Sequence, residues 1–268
     1  MDTSQQHNQG RFQDPISPPE RRCVLIRGLV RSRFHWHEFP GLLLRQNTIS
    51  DVVLPELAGN GERFNETTPF GIRAMMEDIR QHSRRLLPEP TPPVVLVAIS
   101  MGGMIATEWA RCYPQEVQEI HLINTSFGAL SPPWQRIRPA ALLPLLRHFH
   151  TIPQRERTIA QHTLSTPIDS ARLQQWIEFA NRYPISLSNT LTQILSASRY
   201  RGMKVPPIKH AVVYASRNDH LVSSRCSERI AQTWQVPAKY HDHAGHDLPL
   251  DDPEWLVQQI VHHQLKTP

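Results

Sequence analysis

Ser100 stands in Ala98-Ile99-Ser100-Met101-Gly102, at the end of the apolar run 94–100 and directly before a helical stretch. A hydroxyl held between small residues at a strand-to-helix turn suits covalent catalysis. The turn is too tight for bulky neighbours, and it pushes the serine oxygen out at the top of a sheet, the arrangement called a nucleophile elbow. The helix N-terminus behind Ser100 also offers backbone N–H groups to a developing oxyanion. Serine at its free pKa is a weak nucleophile, so the chain must also supply a base and an acid that orients it. Asp219 in Arg217-Asn218-Asp219-His220 follows the strand-like 210–216, and His246 in Ala244-Gly245-His246-Asp247 follows the strand-like 238–243. Asp242 and Asp247 are rival acids beside His246; Asp219 is preferred because it sits on the preceding strand's loop, within reach of the outer ring nitrogen.

The elements that must position these residues alternate regularly. Short β-branched runs at 22–28, 50–57, 94–100, 119–126, 210–216 and 238–243 are separated by helical windows such as 71–87, 104–113, 225–234 and 254–265. Such βα alternation predicts a mainly parallel, doubly wound sheet of about six strands with its site at their carboxyl ends. Residues 129–205 break the rhythm with helical signals at 141–149, 170–183 and 189–200, which predicts a helical cap inserted into one domain spanning 21–268. Residues 1–20 are polar and Pro-containing and read as a disordered leader without a signal-peptide core.

Ser, Asp and His in this order at successive strand ends resemble the α/β-hydrolase superfamily, from about residue 21 to the C-terminus. The resemblance implies an α/β-hydrolase fold and carries the catalytic roles onto Ser100, Asp219 and His246. It also makes the backbone amides of Leu29 and Met101 the oxyanion donors. Gly28, Trp36 and Trp134 are the candidates to border the substrate; Trp134, like Trp176 and the Leu-rich 142–146, suits an acyl pocket and core packing of the helices equally. Arg27 stands where relatives commonly carry His before the oxyanion glycine, and Glu56 and Ala58 depart from a recurrent loop in 54–63. Cap size and charge are most similar to carboxylesterases of the pimeloyl-carrier-protein methyl ester type. A serine nucleophile is consistent with a carboxylic ester or thioester hydrolase. A C–C hydrolase or acyltransferase with the same triad and a non-catalytic ligand-binding relative remain the alternatives.

Composition narrows the partners. The 268-residue chain carries a net charge of +5, and ten Lys or Arg against three acids place +7 within 129–205. That surplus suits an acidic partner, such as an acyl group on an acidic carrier protein, as well as a solvated helix face. No nucleic-acid motif accompanies it. Three scattered cysteines fit a reducing cytoplasm rather than a disulfide framework, and no run approaches the ~20 apolar residues of a membrane span. The HxH pairs His35/His37 and His241/His243 lack a supporting ligand at metal spacing. The expectation is therefore a monomer without metal or other cofactor, acting on a small-molecule ester.

Overall fold

Six parallel strands make one sheet in the computed structural model, which describes residues 21–87, 93–148 and 151–263. The strands are β1 (Arg21–Ile26), β2 (Ile49–Val53), β3 (Val94–Ile99), β4 (Val117–Ile123), β5 (Ala211–Ser216) and β6 (Ala238–His241), in the spatial order β2-β1-β3-β4-β5-β6. The helices are α1 (Phe39–Leu44), α2 (Ile72–Leu86), α3 (Met101–Cys112), α4 (Pro133–Arg136), α5 (Pro139–Arg147), α6 (Ile152–Thr163), α7 (Ser170–Arg182), α8 (Leu187–Arg199), α9 (Ser224–Trp234), α10 (Leu248–Asp251) and α11 (Pro253–Val261). All six sequence-expected strands are present, most with trimmed ends. The expected leader 1–20 lies outside the described residues.

The inner strands β3 and β5 are buried at every residue because both faces are covered, whereas the edge strands β2 and β6 carry polar residues and are partly open to solvent. Val24 and Ile26 of β1 and Leu96 and Ala98 of β3 pack with α2, α3 and α9 on one face. Their alternates Cys23, Leu25, Val95 and Val97 pack with α1 and α11 on the other. At the sheet's centre the chain reverses its direction of travel, from β1 out to β2 and back across to β3. Such a switch point leaves a crevice at the carboxyl ends of the strands, between the loop after β1 and the loop after β3. Five helices, α4–α8, occupy the interval between β4 and β5, with no strand among the described residues there.

All three cysteines are free thiols, and burial pushes Cys23 up to about 12. No helix among the described residues is long and apolar enough to cross a membrane.

Candidate active site

Ser100 caps β3 with φ 58° and ψ −123°, a positive φ that a non-glycine residue adopts only where surrounding bonds hold it. Three bonds do so here. The Ser100 amide donates to the Ile123 carbonyl at 2.9 Å, and the Ser100 carbonyl accepts from the Gly103 amide at 3.0 Å and the Thr125 hydroxyl at 2.7 Å. The small neighbours have steric causes. A Cβ on Gly102 would lie 2.3 Å from the Ile26 carbonyl oxygen, and one on Gly28 would lie 2.9 Å from Ser100 Cβ. The loops after β1 and β3 therefore meet at van der Waals contact, with Gly28 against the serine.

Asp219 and His246 come together across 27 positions of sequence: Asp219 Oδ2 lies 2.7 Å from His246 Nδ1. The other carboxylate oxygen, Oδ1, accepts the amides of Leu221 and Val222, each at 2.8 Å. Both side chains are buried. With Asp219 so anchored, the imidazole proton belongs on Nδ1, which leaves Nε2 free to act as a base. Among the described residues no direct hydrogen bond joins Ser100 Oγ to the imidazole. Nor do the amides of Leu29 and Met101 donate to any described group, so both are available to an external oxygen. Asp242 is not part of this arrangement; it is paired with Arg217 at the surface, 2.8 Å away.

Asp247 has a different job. Its oxygens receive Arg27 Nη1 at 3.0 Å and Nη2 at 2.6 Å, and both residues are buried. Burial alone would raise this carboxyl, but Arg27 outweighs it and holds Asp247 below the usual carboxylate range. The pair ties the loop after β1 to the loop bearing His246, and the Arg27 guanidinium also lies 4.9 Å from the ring centroid of Trp36. Trp36, expected beside the substrate, is instead a core residue: it is 1% exposed and stacked on Phe39. Trp134 lies on α4 with most of its surface in solvent.

Sequence reasoning missed the residues that lock these loops together. Asn124, at φ 47°, donates through Nδ2 to the His246 carbonyl at 2.8 Å and to the Ser216 hydroxyl at 3.0 Å, while its Oδ1 accepts the Ser216 amide at 2.8 Å. An Asn just after a strand is the one available signal, because Asn tolerates positive φ. Gln193 of α8, fully buried, accepts the Val30 amide at 2.9 Å and donates to Asn60 at 2.7 Å. Val30 itself has φ 51°, so Gln193 holds the turn that presents Leu29.

The interposed helices also reach the other two loops: Thr163 accepts the Asp247 amide at 2.8 Å, and Arg138 donates its amide to Leu221 at 2.8 Å. A second ion pair, Arg31 with Glu156 of α6 at 2.6 Å, joins the β1 loop to the same helices. His35 and His37 take part in this contact. Nε2 of His35 lies 3.0 Å from Arg31 Nη1, and Nε2 of His37 accepts Trp176 Nε1 at 2.9 Å. Burial, reinforced by Arg31, holds His35 well below the usual imidazole value and hence neutral. No cluster of three or more metal-ligating side chains occurs among the described residues.

Solved structures share this architecture over nearly the whole chain. The chain superposes on an esterase from Exiguobacterium antarcticum with a TM-score of 0.73 at 14% identity over 91% of each chain. A putative non-heme bromoperoxidase from Mycobacterium tuberculosis gives 0.70 at 18% identity over 91% of each chain. A hydrolase from Oleispira antarctica gives 0.73 at 14% identity, covering 92% of this chain and 91% of its own. At these identities the likeness establishes the fold alone. No curated protein matches the sequence. The family model described as alpha/beta hydrolase matches residues 23–259, nearly the whole described chain, and the protein belongs to that family.

Proposed function

We propose that the protein is a serine hydrolase that cleaves carboxylic esters or thioesters through an acyl-enzyme, with Ser100, His246 and Asp219 as its triad. The observation that carries the reading is the 2.7 Å Asp219–His246 contact, with the acid's second oxygen already spent on two backbone amides. That arrangement serves one purpose well: it fixes the imidazole tautomer and stabilises the charged imidazole when Nε2 takes a proton.

The reaction then runs in two halves. Ser100 Oγ attacks the ester carbonyl while its proton passes to His246 Nε2, and the Leu29 and Met101 amides hold the oxygen that gains the negative charge. Collapse of the tetrahedral adduct breaks the bond to the alcohol or thiol, which leaves with the proton from His246. Water repeats the sequence on the acyl-enzyme, giving the acid and restoring Ser100.

A fluorophosphonate probe tests the assignment. Wild type should be labelled at one site, and Ser100→Ala should abolish labelling and lower kcat by about 10⁴ to 10⁶. Labelling that survives the substitution refutes it. A panel of p-nitrophenyl esters of increasing acyl length separates an esterase from an acyltransferase or C–C hydrolase, because only the first should turn over simple esters with water as sole acceptor.

A further inference from the structure

Helix α8 is inverted relative to an ordinary surface helix. Its buried residues are the polar ones: Asn189, Thr190, Gln193 and Ser196. Gln193 holds the Val30 amide; Asn189 Oδ1 accepts the Thr68 amide at 3.0 Å and Nδ2 donates to the Glu66 carbonyl at 3.0 Å; Ser196 accepts the Gly71 amide at 2.8 Å. With the polar side committed inward, Leu187, Leu191, Ile194 and Leu195, spaced i, i+4, i+7 and i+8, face solvent at 37–58% exposure. Phe70, 57% exposed and preceding Gly71, continues the patch, with the Arg199 guanidinium 5.4 Å from its ring centroid. Hydroxyls within the face are already used, Ser198 on the Leu195 carbonyl at 2.9 Å and Ser188 on Ser186 at 3.0 Å.

We propose that this face docks on an anionic lipid surface, with the leucines entering the acyl boundary and the surrounding arginines meeting phosphate groups. Charge selects this occupant. The only charged residue on α8 is Arg199; Arg182 precedes the helix, Arg201 and Lys204 follow it, all four are exposed, and the segment 129–205 carries +7. A second copy docking through the same face would bring two such segments together, which repulsion opposes. A specific protein partner would bring hydrogen-bonding groups to match, and this face offers it mainly Leu, Ile and Phe side chains, with the Ser188 and Ser198 hydroxyls already bonded within α8 and its cap. A lipid surface needs none. Resting on the serine-hydrolase reading, the substrate class follows: an ester borne in a lipid layer, since the opposite side of the docked helix holds the loop that presents Leu29.

The test separates binding from catalysis. Full-length chain carrying Ser100→Ala is sedimented with sucrose-loaded vesicles of phosphatidylcholine and phosphatidylglycerol (7:3), or of phosphatidylcholine alone. Partition should be at least about tenfold greater on the anionic vesicles at 0.1 M salt and should fall to the neutral-vesicle level at 1 M. Leu191→Asp with Leu195→Asp, both at exposed positions, should lower it about tenfold or more at unchanged Tm, and Arg199→Glu should lower it while leaving every apolar side chain of the face in place. Failure to sediment with anionic vesicles, or equal partition of the double variant, overturns the proposal. So does a wild-type dimer that Leu191→Asp converts to monomer, which would assign the face to a second copy, as would saturable binding to an acidic carrier protein without vesicle binding. With Ser100 intact, hydrolysis of a long-chain ester in the anionic vesicles should fall with partition in the double variant while soluble-ester turnover stays within about twofold. Intact vesicle binding with no ester turnover at all would refute the hydrolase reading and leave the docking surface standing.

Discussion

Replacing Asp247 by asparagine removes one charge from a two-bond pair whose side chains are 4% and 6% exposed, and leaves the Arg27 guanidinium buried without a counter-ion. Desolvating a lone cation is the larger loss, because Asp247 supplies the counter-charge of buried Arg27 and the Trp36 ring alone is a weak substitute. Breaking such a pair from one side costs about 3–5 kcal/mol, which for a chain of this size lowers Tm by about 5–9 °C. The same reasoning makes replacement of both partners mild: Arg27→Met with Asp247→Leu should cost far less than the two single losses added, since no charge is stranded. The sign of the pH dependence is set by the depressed carboxyl. Asp247 lies below its ordinary 3.8 in the folded chain, so the pair stabilises at pH above that value and is lost as pH falls through the folded one. The stability gap between wild type and Asp247→Asn should therefore be full at neutral pH and shrink below about pH 4.

Urea unfolding of wild type, Asp247→Asn, Arg27→Met, Asp247→Leu and the double variant, followed at pH 7 and again near pH 3.5, measures all of this. Activity supplies the complementary readout. Asp247 does not touch the imidazole's outer nitrogen, so the folded fraction of Asp247→Asn should lose less than about tenfold in kcat. A destabilisation under about 1 kcal/mol would refute the argument from burial, and a kcat loss matching that of Asp219→Asn would show that the acid had been misassigned.

Asp219→Asn should lower kcat by about 10³ to 10⁴ through the wrong imidazole tautomer, whereas surface-paired Asp242→Asn should change it less than twofold; steady-state kinetics on a p-nitrophenyl ester compares them. Gln193→Leu strips the half-buried Val30 amide of its acceptor, a loss of about 1 kcal/mol that should appear as a several-fold lower kcat with KM within about twofold, and Gln193→Glu, which keeps that acceptor but gives up the donor to Asn60, should recover part of it. Gly102→Ala, whose Cβ would sit 2.3 Å from a backbone oxygen, should lower stability in urea by about 1–3 kcal/mol or more; an unchanged midpoint would mean the elbow yields freely.

The strands were legible because both sheet faces are covered, so β-branched runs ending at turn residues stand out from the amphipathic windows between them. Ser100, Asp219 and His246 were legible because each follows one of those runs. Other elements hid. Helix α1, Phe-Pro-Gly-Leu-Leu-Leu, carries Pro and Gly in its first turn, and α6 turns Arg155, Glu156 and Thr158 inward, so its apolar period is broken by the residues that dock it. The same inward turn qualifies the charge argument. Arg155 is buried against Glu156, and Arg136 donates to the carbonyls of Ala197 and Ser198, so part of the +7 holds the helices together rather than meeting a partner. Arg27 and Asp247 were each conspicuous, one as a departure and one as a rival acid, yet 220 positions separate them and only the fold makes them a pair.

Helix α8 shows why periodicity alone misassigns a face. Its leucines recur at helical spacing, which in isolation reads as the side turned to the core. What reverses it is the demand of the turns it covers. The amides of Val30, Thr68 and Gly71 and the carbonyl of Glu66 have no regular strand or helix to satisfy them, and α8 supplies side-chain partners to all four. An unmet buried amide costs about 1–3 kcal/mol, whereas a leucine left at half exposure forfeits about half of the 1.5–3 kcal/mol gained by full burial. Several such polar contacts therefore outweigh the exposed apolar stripe. The helix faces inward with its hydrogen-bonding side because the loop that presents Leu29 needs it there, and its apolar side is what the chain can offer to a lipid surface.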